Sequence, residues 1–318
     1  ERMQEEKRQV KAMGTIIQLW IQHEDPTPIL EAAVQQIRAF EKRFSANDPA
    51  SDLMKVNQNA GIQPTKVAKD LFALIALAKE HSLPEDSFLN IAMGPLIQEW
   101  RIGFSDAKVP TAEKVTELLQ VTDPQRIELD NKQQSVALAA GMSIDLGAVA
   151  KGYFADQLAD FFKQSGVSAA LIDLGGNVVT FGETPNHADH LWRIGIQNPF
   201  LPRGNFVAAL KIRDRSIVTS GIYERSHTVD GKTYHHIFNR KTGYPIESAL
   251  ASITIISDRS VDGEIWTTRL FGKKPEEIMK QLSRLDGITG LIVTRQGQLL
   301  YPSTLQPLIE LPETNQKA

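Results

Sequence analysis

Cysteine does not occur in this chain of 318 residues. Its absence excludes disulfide bonds, a thiolate nucleophile and zinc sites built on cysteine. Long apolar runs are also lacking, since none approaches the roughly 18 residues needed to span a bilayer. No signal-peptide pattern opens the sequence. These absences exclude thiol chemistry and a membrane-spanning helix, but they say little about the compartment.

An excess of charge of either sign is missing as well. The chain has 35 basic and 38 acidic residues and a formal net charge of -3. Nucleic-acid binding depends on clustered Lys and Arg that neutralise phosphates, so this balance argues against a nucleic-acid partner. The hydrophobic share of 42% and the charged share of 23% are typical of an ordinary globular protein.

The segment from Ser143 to Tyr153 is the most informative stretch that is present. It contains Asp145, Gly147 and Lys151 and leads into an amphipathic run that ends near Phe162. Backbone N–H groups at a helix start and a nearby ammonium both favour a bound anion, so the segment predicts a phosphate site. The alternative is a plain strand-to-helix turn, with Asp145 as a helix cap and Lys151 in solvent.

The pattern of apolar residues predicts a mixture of helices and strands. Alternation over 17–21 is typical of a strand, and helical periodicity covers 29–44, 67–82 and 275–285. Short β-like runs dominate from 169 to 260. Because helices and strands are mixed rather than strictly alternating, we expect an α+β fold with mixed sheets and packed helices.

The length of the chain fits one large domain or two closely joined ones, and no linker or internal repeat separates them. Residues 1–12 are highly charged, and we expect a flexible N-terminal segment there. A single domain is expected over 13–302, with two intimately packed subdomains as the alternative. Residues 303–318 are expected to form a C-terminal tail.

Three further clusters carry polar side chains that suit chemistry. Small hydroxylated residues precede a glycine at Thr219-Ser220-Gly221. His235 and His236 are adjacent in a strand-like run and should point to opposite faces. Glu264 and Thr268 stand one helical turn apart, so their oxygens can face one hard cation. The alternatives are a structural role for each histidine and an exposed helix position for Glu264.

Taken together, these segments resemble the FAD:protein FMN transferases of the ApbE family. The likeness runs from Met13 to about Tyr301, and its motifs occur in the family's order. Any one of them is weak, but the joint order is highly specific. The motifs are MGT, FSANDPASDLMKVN, GPLIQEW, IDLGAVAKGY, DLGGN, IGIQNP, TSGIYER, YHHIFNRKTGYP and GEIWTTRLF.

The resemblance implies an ApbE-like fold related to the T-fold. It also implies an enzyme that binds FAD with Mg2+, cleaves the pyrophosphate and moves FMN to a Thr or Ser hydroxyl of a partner flavoprotein, with release of AMP. An extracytoplasmic location is implied too, with the native chain held at the membrane by an N-terminal lipid. The partners implied are therefore FAD and an acceptor flavoprotein.

The same resemblance implies roles for individual residues. His236 matches the general base that takes the proton of the acceptor hydroxyl. The residues matched to FAD binding are Met13, Asn47, Trp100, Arg101, Ile102, Asp145, Lys151, Gly176 and Ile237. The residues matched to the metal are Ala148, through its carbonyl, and Glu264, Thr267 and Thr268.

This chain departs from the family pattern at three places. Glu264 stands where the family has Asp, so either the ion shifts or Asp262 replaces it by a local slip. Asn239 and Arg240 stand where an Asp-Pro pair is usual, which removes a charge near His236 and lowers its expected basicity. Asn47 stands where many members place a Tyr against the flavin, so we expect weaker stacking on FAD.

These departures keep two other functions open. A loosely held FAD would admit water as the acceptor, which gives an FAD pyrophosphatase that yields FMN and AMP. A disabled metal site would instead give a flavin-binding protein without turnover.

Overall fold

The computed structural model describes residues 2–45, 47–222, 226–229 and 232–313. Its helices are α1 (Pro26–Phe44), α2 (Asp52–Gln58), α3 (Lys69–Ser82), α4 (Gly94–Trp100), α5 (Ala112–Leu119), α6 (Ala150–Gln164), α7 (Ser260–Leu270) and α8 (Pro275–Arg284). Its strands are β1 (Gln4–Ala12), β2 (Thr15–His23), β3 (Thr65–Lys66), β4 (Glu128–Asp130), β5 (Ser135–Ala137), β6 (Ala169–Leu174), β7 (Asn177–Phe181), β8 (Trp192–Gln197), β9 (Phe206–Ile212), β10 (Ser216–Gly221), β11 (Ser226–Val229), β12 (Lys232–His235), β13 (Leu250–Ser257), β14 (Thr289–Thr294), β15 (Leu299–Leu300) and β16 (Ile309–Glu310).

One large antiparallel sheet forms the centre of the molecule. Its strands lie in the order β1-β2-β6-β7-β10-β13-β14-β15. Apolar residues of α1, α6 and α7 pack on one face, together with Ile17 and Leu19 of β2. The small sheet β16-β9-β8 covers part of the other face, where Trp20 contacts Trp192 edge to face. Because both faces are covered, every residue of β13 is buried.

This architecture confirms the expected α+β fold. Helices gather on one face of an antiparallel sheet, which is the arrangement that defines the class. Shorter sheets stand apart from the central one, in the orders β3-β5-β4 and β11-β12. Within the described ranges, no helix combines the length and apolar character needed to cross a lipid bilayer.

The two chain ends differ from the sequence-based expectation. Residues 4–12 of the segment expected to be flexible form β1, which pairs with the whole of β2. Val10 and Ala12 of this strand are buried under α1. Because alternate side chains are buried there, the strand forms despite its many charges. In the expected tail, Leu305 is buried and Ile309 pairs with Leu210 of β9. The folded region therefore extends beyond 13–302 at both ends.

Gly94 and Pro95 begin helix α4, although a Gly-Pro pair is also common in turns. Proline is favoured in the first turn of a helix because its missing N–H has no partner to lose there. A short 3-10 turn at Ile91–Met93 precedes the helix, and the side chain of Asn90 caps it by accepting from the N–H of Ala92 at 2.9 Å.

Several loops meet at one edge of the central sheet. The β1–β2 turn lies there because Ile17 pairs with Leu174, near the end of β6. The β6–β7 turn and the end of β10 share this edge, since Asn177 pairs with Val218. The segment from 145 to 151 and helix α7 approach the same edge from the helical side. Loops from distant parts of the sequence are therefore gathered at one place.

Candidate active site

A cavity of about 720 Å³ opens at this edge of the sheet. This volume is in the usual range for a site that holds a small organic ligand. The wall is formed by α1, the segment from 88 to 104, the segment from 145 to 151, residues 236–238 and helix α7. Elements that are far apart in the sequence thus contribute to one concave surface.

Most of the residues that the family resemblance singled out line this cavity. They come from six separate segments of the chain, so their convergence is a property of the fold. These residues are Met13, Asn47, Arg101, Ile102, Asp145, Ala148, Lys151, His236, Ile237 and Thr268.

Hydrogen bonds to the backbone hold Asp145 in its place. Its N–H donates to the carbonyl of Ile91 at 2.9 Å, and its Oδ1 accepts from the N–H of Gly147 at 2.8 Å. The preceding residue is fixed as well, because the Asn57 side chain accepts from the Ile144 N–H at 2.7 Å and donates to its carbonyl at 3.1 Å. Asp145 is therefore presented on a rigid loop, and it does not cap helix α6.

The start of α6 differs from the open anion site that the sequence suggests. The helix begins at Ala150, whose N–H donates to the carbonyl of Leu146 at 3.0 Å. The N–H of Gly152 donates to Oε2 of Glu264 at 2.9 Å. A protein carboxylate thus occupies part of the positive end of the helix. The cation that faces the cavity here is the side chain of Lys151.

Glu264 lies behind the cavity wall and only 7% of its surface is exposed. Its Oε1 accepts a hydrogen bond from the Asn177 side chain, while Oε2 accepts from the N–H of Gly152. A burial this deep is tolerated because N–H donors and the helix dipole compensate the charge.

Asp262 occupies a different environment from Glu264 on the same helix. Burial raises the pKa of this carboxyl, while His81 and Arg259 nearby oppose the rise. It does not line the cavity. Residues two apart on a helix project in nearly opposite directions, so the local slip that would bring Asp262 into the site is not seen.

The two threonines of α7 are placed differently. Thr268 is buried but lines the cavity. Thr267 is 1% exposed, and its hydroxyl donates to the carbonyl of Glu264 at 3.1 Å within the helix. Thr268 therefore borders the cavity, whereas the Thr267 hydroxyl donates within the helix.

Two residues matched to FAD binding lie away from the cavity. Trp100 is 1% exposed and packs edge to face with Phe238 and Tyr244, so it supports the wall from within the core. Gly176 lies in the exposed β6–β7 turn, where its N–H donates to Asp173 at 2.9 Å. Direct contact of these two residues with a nucleotide stays a prediction that the cavity does not support.

Exposed residues form the other side of the cavity. Arg101 ends α4 in the left-handed conformation with φ of 52°. Its guanidinium lies 4.3 Å from the centre of the Phe104 ring, and its Nε donates to Asp106 at 2.9 Å. Asn47 is exposed in the loop between α1 and α2. No aromatic ring stands at position 47 to stack on a planar ligand.

His236 lies one residue beyond β12 and is half-buried in the cavity wall. The side chain of His235, which was expected on the opposite face, lies outside the described residues, as do Tyr223 to Arg225 of the TSGIYER motif. Immediately after His236 the chain makes a small hairpin, in which the N–H of Ile246 donates to the carbonyl of Ile237 at 2.9 Å.

Asn239 and Arg240 replace the usual Asp-Pro pair at the turn of this hairpin and have structural roles. The Asn239 side chain accepts from the N–H of Lys241 at 2.9 Å, which is the capping bond an aspartate would make there. The Nη1 of Arg240 donates to the carbonyls of Ser82, Pro84 and Ser87 at 2.7, 3.1 and 3.2 Å. Arg240 thus ties the hairpin to the loop that leads into cavity residues 88–90.

A buried carboxylate controls the start of α7. Asp156 of α6 is 2% exposed and accepts from the N–H of Ser260 at 2.7 Å and of Val261 at 3.0 Å. Burial is the main cause that raises the pKa of this group to about 6, and the hydrogen bonds from Val261 and Ser260 oppose the rise. Asp156 therefore caps the helix that carries Glu264 and Thr268.

Several contributors to the site escaped the sequence analysis. Asn177 is the most important, because it follows two glycines in a strand pattern and nothing in the sequence links it to Glu264. Glu41 accepts a hydrogen bond of 2.5 Å from the N–H of Met13. The apolar periodicity of α1 predicts the helix but does not indicate that Glu41 reaches the cavity. Aromatic wall residues were also missed, namely Phe40, Phe44, Phe88 and Phe104.

The donor chemistry at this site suits a hard divalent cation. Ala148 and Thr268 line the cavity and offer oxygen atoms. The buried Glu264 lies one helical turn before Thr268 on α7. Mg2+ prefers oxygen ligands and is usually bound by few protein groups together with water and phosphate. Among the described residues, no group of three or more His, Cys, Asp or Glu side chains could hold a metal by itself. A metal here would therefore complete its shell with oxygens of water or of a phosphate ligand.

Comparison with known proteins gives a consistent result. The model of a family described as ApbE family matches residues 13–292. A Klebsiella pneumoniae (strain 342) protein named FAD:protein FMN transferase is 40% identical over 292 residues, which are 92% of this chain and 90% of that relative. A Treponema pallidum (strain Nichols) protein of the same name is 31% identical over 308 residues, with coverage of 92% and 85%.

A solved structure agrees with the fold. The crystal structure of the ApbE protein from Thermotoga maritima MSB8 matches with a TM-score of 0.86 at 26% identity. The match covers 96% of this chain and 99% of that one.

Proposed function

Because this chain belongs to the ApbE family, we propose that it is an FAD:protein FMN transferase, an enzyme that moves FMN from FAD to a partner flavoprotein. The family match over residues 13–292 carries this proposal. It is supported by the cavity, in which most residues matched to flavin binding in this family meet on one surface. The resemblance drawn from the order of sequence motifs is thereby confirmed at the level of the family.

We propose that the acceptor is a Thr or Ser hydroxyl. Its oxygen forms a bond to the phosphorus of the FMN half of FAD, the bond from that phosphorus to the bridging oxygen breaks, and AMP leaves. His236 takes the proton of the hydroxyl, because a neutral imidazole near pH 7 is a suitable base. Its position in the cavity wall, at the end of β12, is compatible with this role.

The remaining groups act by position and charge, which is what phosphoryl transfer mainly requires of a protein. The Lys151 ammonium faces the diphosphate and favours its negative charge. Asp145, held rigidly by Ile91 and Gly147, accepts hydrogen bonds from the nucleotide. The Arg101 guanidinium lies over the Phe104 ring at the opening of the cavity and contacts the part of FAD that stays exposed to solvent.

We also propose a dependence on Mg2+. Glu264, Thr268 and the carbonyl of Ala148 would hold the ion, with phosphate oxygens completing the shell. When bound, the ion supplies neutralisation of the charge that develops on the phosphate oxygens. Thr267 contributes through the helix rather than as a ligand, since its hydroxyl donates to the Glu264 carbonyl.

Hydrolysis of FAD to FMN and AMP is the second candidate function. Asn47 favours it, because this exposed residue lines the cavity and offers no aromatic face to the flavin. A ligand that is less firmly stacked leaves more room for water to replace the acceptor hydroxyl. The extracytoplasmic, lipid-anchored location remains a prediction from the resemblance.

One assay separates these functions. The chain is incubated with FAD and Mg2+, with and without an acceptor domain bearing a Thr in a Ser/Thr-Gly-Ala-like context. Transfer gives flavin fluorescence on the acceptor band of a denaturing gel, hydrolysis gives free FMN, and simple binding leaves FAD unchanged. Transfer is the expected result, and intact FAD in all reactions would contradict the proposal.

Two substitutions test the assigned roles in this assay. His236→Ala should reduce transfer far more than FAD affinity, because the base acts on the acceptor. Glu264→Ala should abolish turnover that depends on Mg2+. Equal loss of transfer and affinity in the first variant would make His236 a binding residue, and unchanged turnover in the second would place the ion elsewhere.

A further inference from the structure

Asn177 is a buried amide behind the cavity wall and does not line the cavity. It is the first residue of β7 and is 6% exposed. Its backbone is fixed on both sides, because it pairs with Leu174 of β6 and Val218 of β10. An amide held this firmly has little freedom to choose another partner.

The partner of its side chain is the carboxylate of Glu264. The Nδ2 group of Asn177 donates to Oε1, and the N–H of Gly152 donates to Oε2 at 2.9 Å. One carboxylate therefore joins the central sheet, helix α6 and helix α7. The bonds fix both oxygens and so set the rotation of the carboxylate plane.

Helices α6 and α7 are packed closely around the Glu264 carboxylate. A Cβ atom on Gly152 would lie 2.9 Å from Oε2 of Glu264 and 2.7 Å from the carbonyl oxygen of Ser260. Helices α6 and α7 therefore approach each other closely at Gly152, and no space remains there for a side chain. A carboxylate has about four lone-pair directions, so its oxygens can accept hydrogen bonds and bind a cation at the same time.

We propose that Asn177 is a positioning residue that orients the Glu264 carboxylate for a divalent cation at the neighbouring oxygens of Ala148 and Thr268. This inference rests on the proposed function. Groups that hydrogen-bond a metal ligand reduce the freedom it must lose on binding, and their removal typically costs about 10–100-fold in metal affinity. Asn177 acts only through Glu264 and touches no substrate.

The test measures the binding of Mn2+, a spectroscopic substitute for Mg2+, by the loss of the free-ion electron paramagnetic resonance signal. Asn177→Leu replaces the amide with an apolar group of the same branched shape, and Asn177→Ala is the second variant in case the first does not fold. Thr180→Val is the matched control. Thr180 lies on the same strand at 2% exposure, and its hydroxyl bonds to the carbonyl of Arg215 instead.

The expected result is a rise of about tenfold or more in the Mn2+ dissociation constant of the Asn177 variants. The same factor should appear in the Mg2+ concentration for half-maximal FAD turnover, with kcat at saturating Mg2+ nearly unchanged. FAD affinity without a divalent cation should not change. Thr180→Val should lower the unfolding midpoint at most, since it removes a hydrogen bond remote from the carboxylate.

Three outcomes would overturn the inference, and they can be told apart. If the wild type turns over FAD with Mg2+ but the Asn177 variants bind Mn2+ normally, the positioning role fails and the proposed function stands. If Thr180→Val weakens Mn2+ binding as much, the effect is one of general stability. If the wild type neither binds Mn2+ nor acts on FAD, the proposed function fails together with the inference.

Discussion

The two sides of the cavity are built in contrasting ways. The inner wall, which we define as Thr268 together with the residues Gly152, Asp156 and Glu264 behind it, joins helices α6 and α7 through carboxylates bonded to backbone N–H groups. The outer rim, defined as Asn47, Arg101 and Phe104, consists of loop residues at or near the surface.

This difference fits the two tasks that we propose for the site. Charge on a diphosphate must be matched by groups that do not reorganise, and a buried framework of hydrogen bonds provides this. The flavin end must admit a protein acceptor and release the product, so exposed side chains with few partners suit it. We therefore expect substitutions in the inner wall to affect folding and metal use, and substitutions at the rim to affect ligand affinity.

The largest effect should come from Gly152→Ala, which breaks the inner wall. Exposed helical positions gain about 1 kcal/mol from this change. Here the new Cβ would lie 2.7 Å from the Ser260 carbonyl, and backbone cannot move aside cheaply. We expect a net loss of about 3 kcal/mol in the free energy of unfolding, measured with urea. Gly221→Ala, whose Cβ would meet its nearest atom at 3.5 Å, is the control. Equal stability of the two variants would mean that the helices are not tightly joined.

The next effect is the pH dependence that Asp156 gives to the free energy of unfolding. Its folded pKa is about 6, above the ordinary 3.8. The folded chain therefore holds this proton more tightly than the unfolded chain, and the stabilisation it gives is lost as pH rises from about 4 to 6. This group alone should account for about 2–3 kcal/mol of the change in unfolding free energy. Urea titrations across this range should show that Asp156→Asn lacks this component. Identical profiles for variant and wild type would contradict the assignment.

Arg240 offers a test of the loop that leads into cavity residues 88–90. Its guanidinium holds the carbonyls of Ser82, Pro84 and Ser87. Arg240→Ala leaves these acceptors without their charged donor and should cost about 2 kcal/mol in unfolding free energy. The neighbouring Lys241→Ala, at an exposed position, should cost almost nothing. Faster hydrogen exchange around 82–90 should accompany the loss in Arg240→Ala. A cost no larger than that of Lys241→Ala would show that Arg240 does not hold the loop.

The smallest effect is expected at the rim, from Asn47→Tyr. An aromatic ring that stacks on the flavin contributes about 1 kcal/mol, or roughly fivefold in affinity. Fluorescence titration should show tighter FAD binding, and the ratio of protein flavinylation to free FMN should rise. Stability should stay within about 0.5 kcal/mol, as is usual for surface changes. Weaker FAD binding would show that this loop does not face the flavin.

The sequence alone was sufficient for several features of the molecule. The order of motifs predicted the family, and periodicity placed α1 and α3 within a few residues of their observed bounds. Such features can be predicted because the spacing of apolar residues in a helix and the residues of a motif lie close together in the sequence. The sequence alone did not predict the first strand. The many charges of residues 4–12 obscured the alternation of buried and exposed side chains, which depends on pairing with β2.

What the sequence by itself determined is the set of chemical groups available to the site, such as Asp145, Lys151 and His236. Only the tertiary structure decided how they are arranged. Glu264 meets Asn177 across 87 residues and Gly152 across 112, and no local pattern records such contacts. The helix start that looked open to phosphate is partly occupied by that same carboxylate. Burial decides this, because a charge removed from water must find donors, and the fold alone determines which donors are within reach.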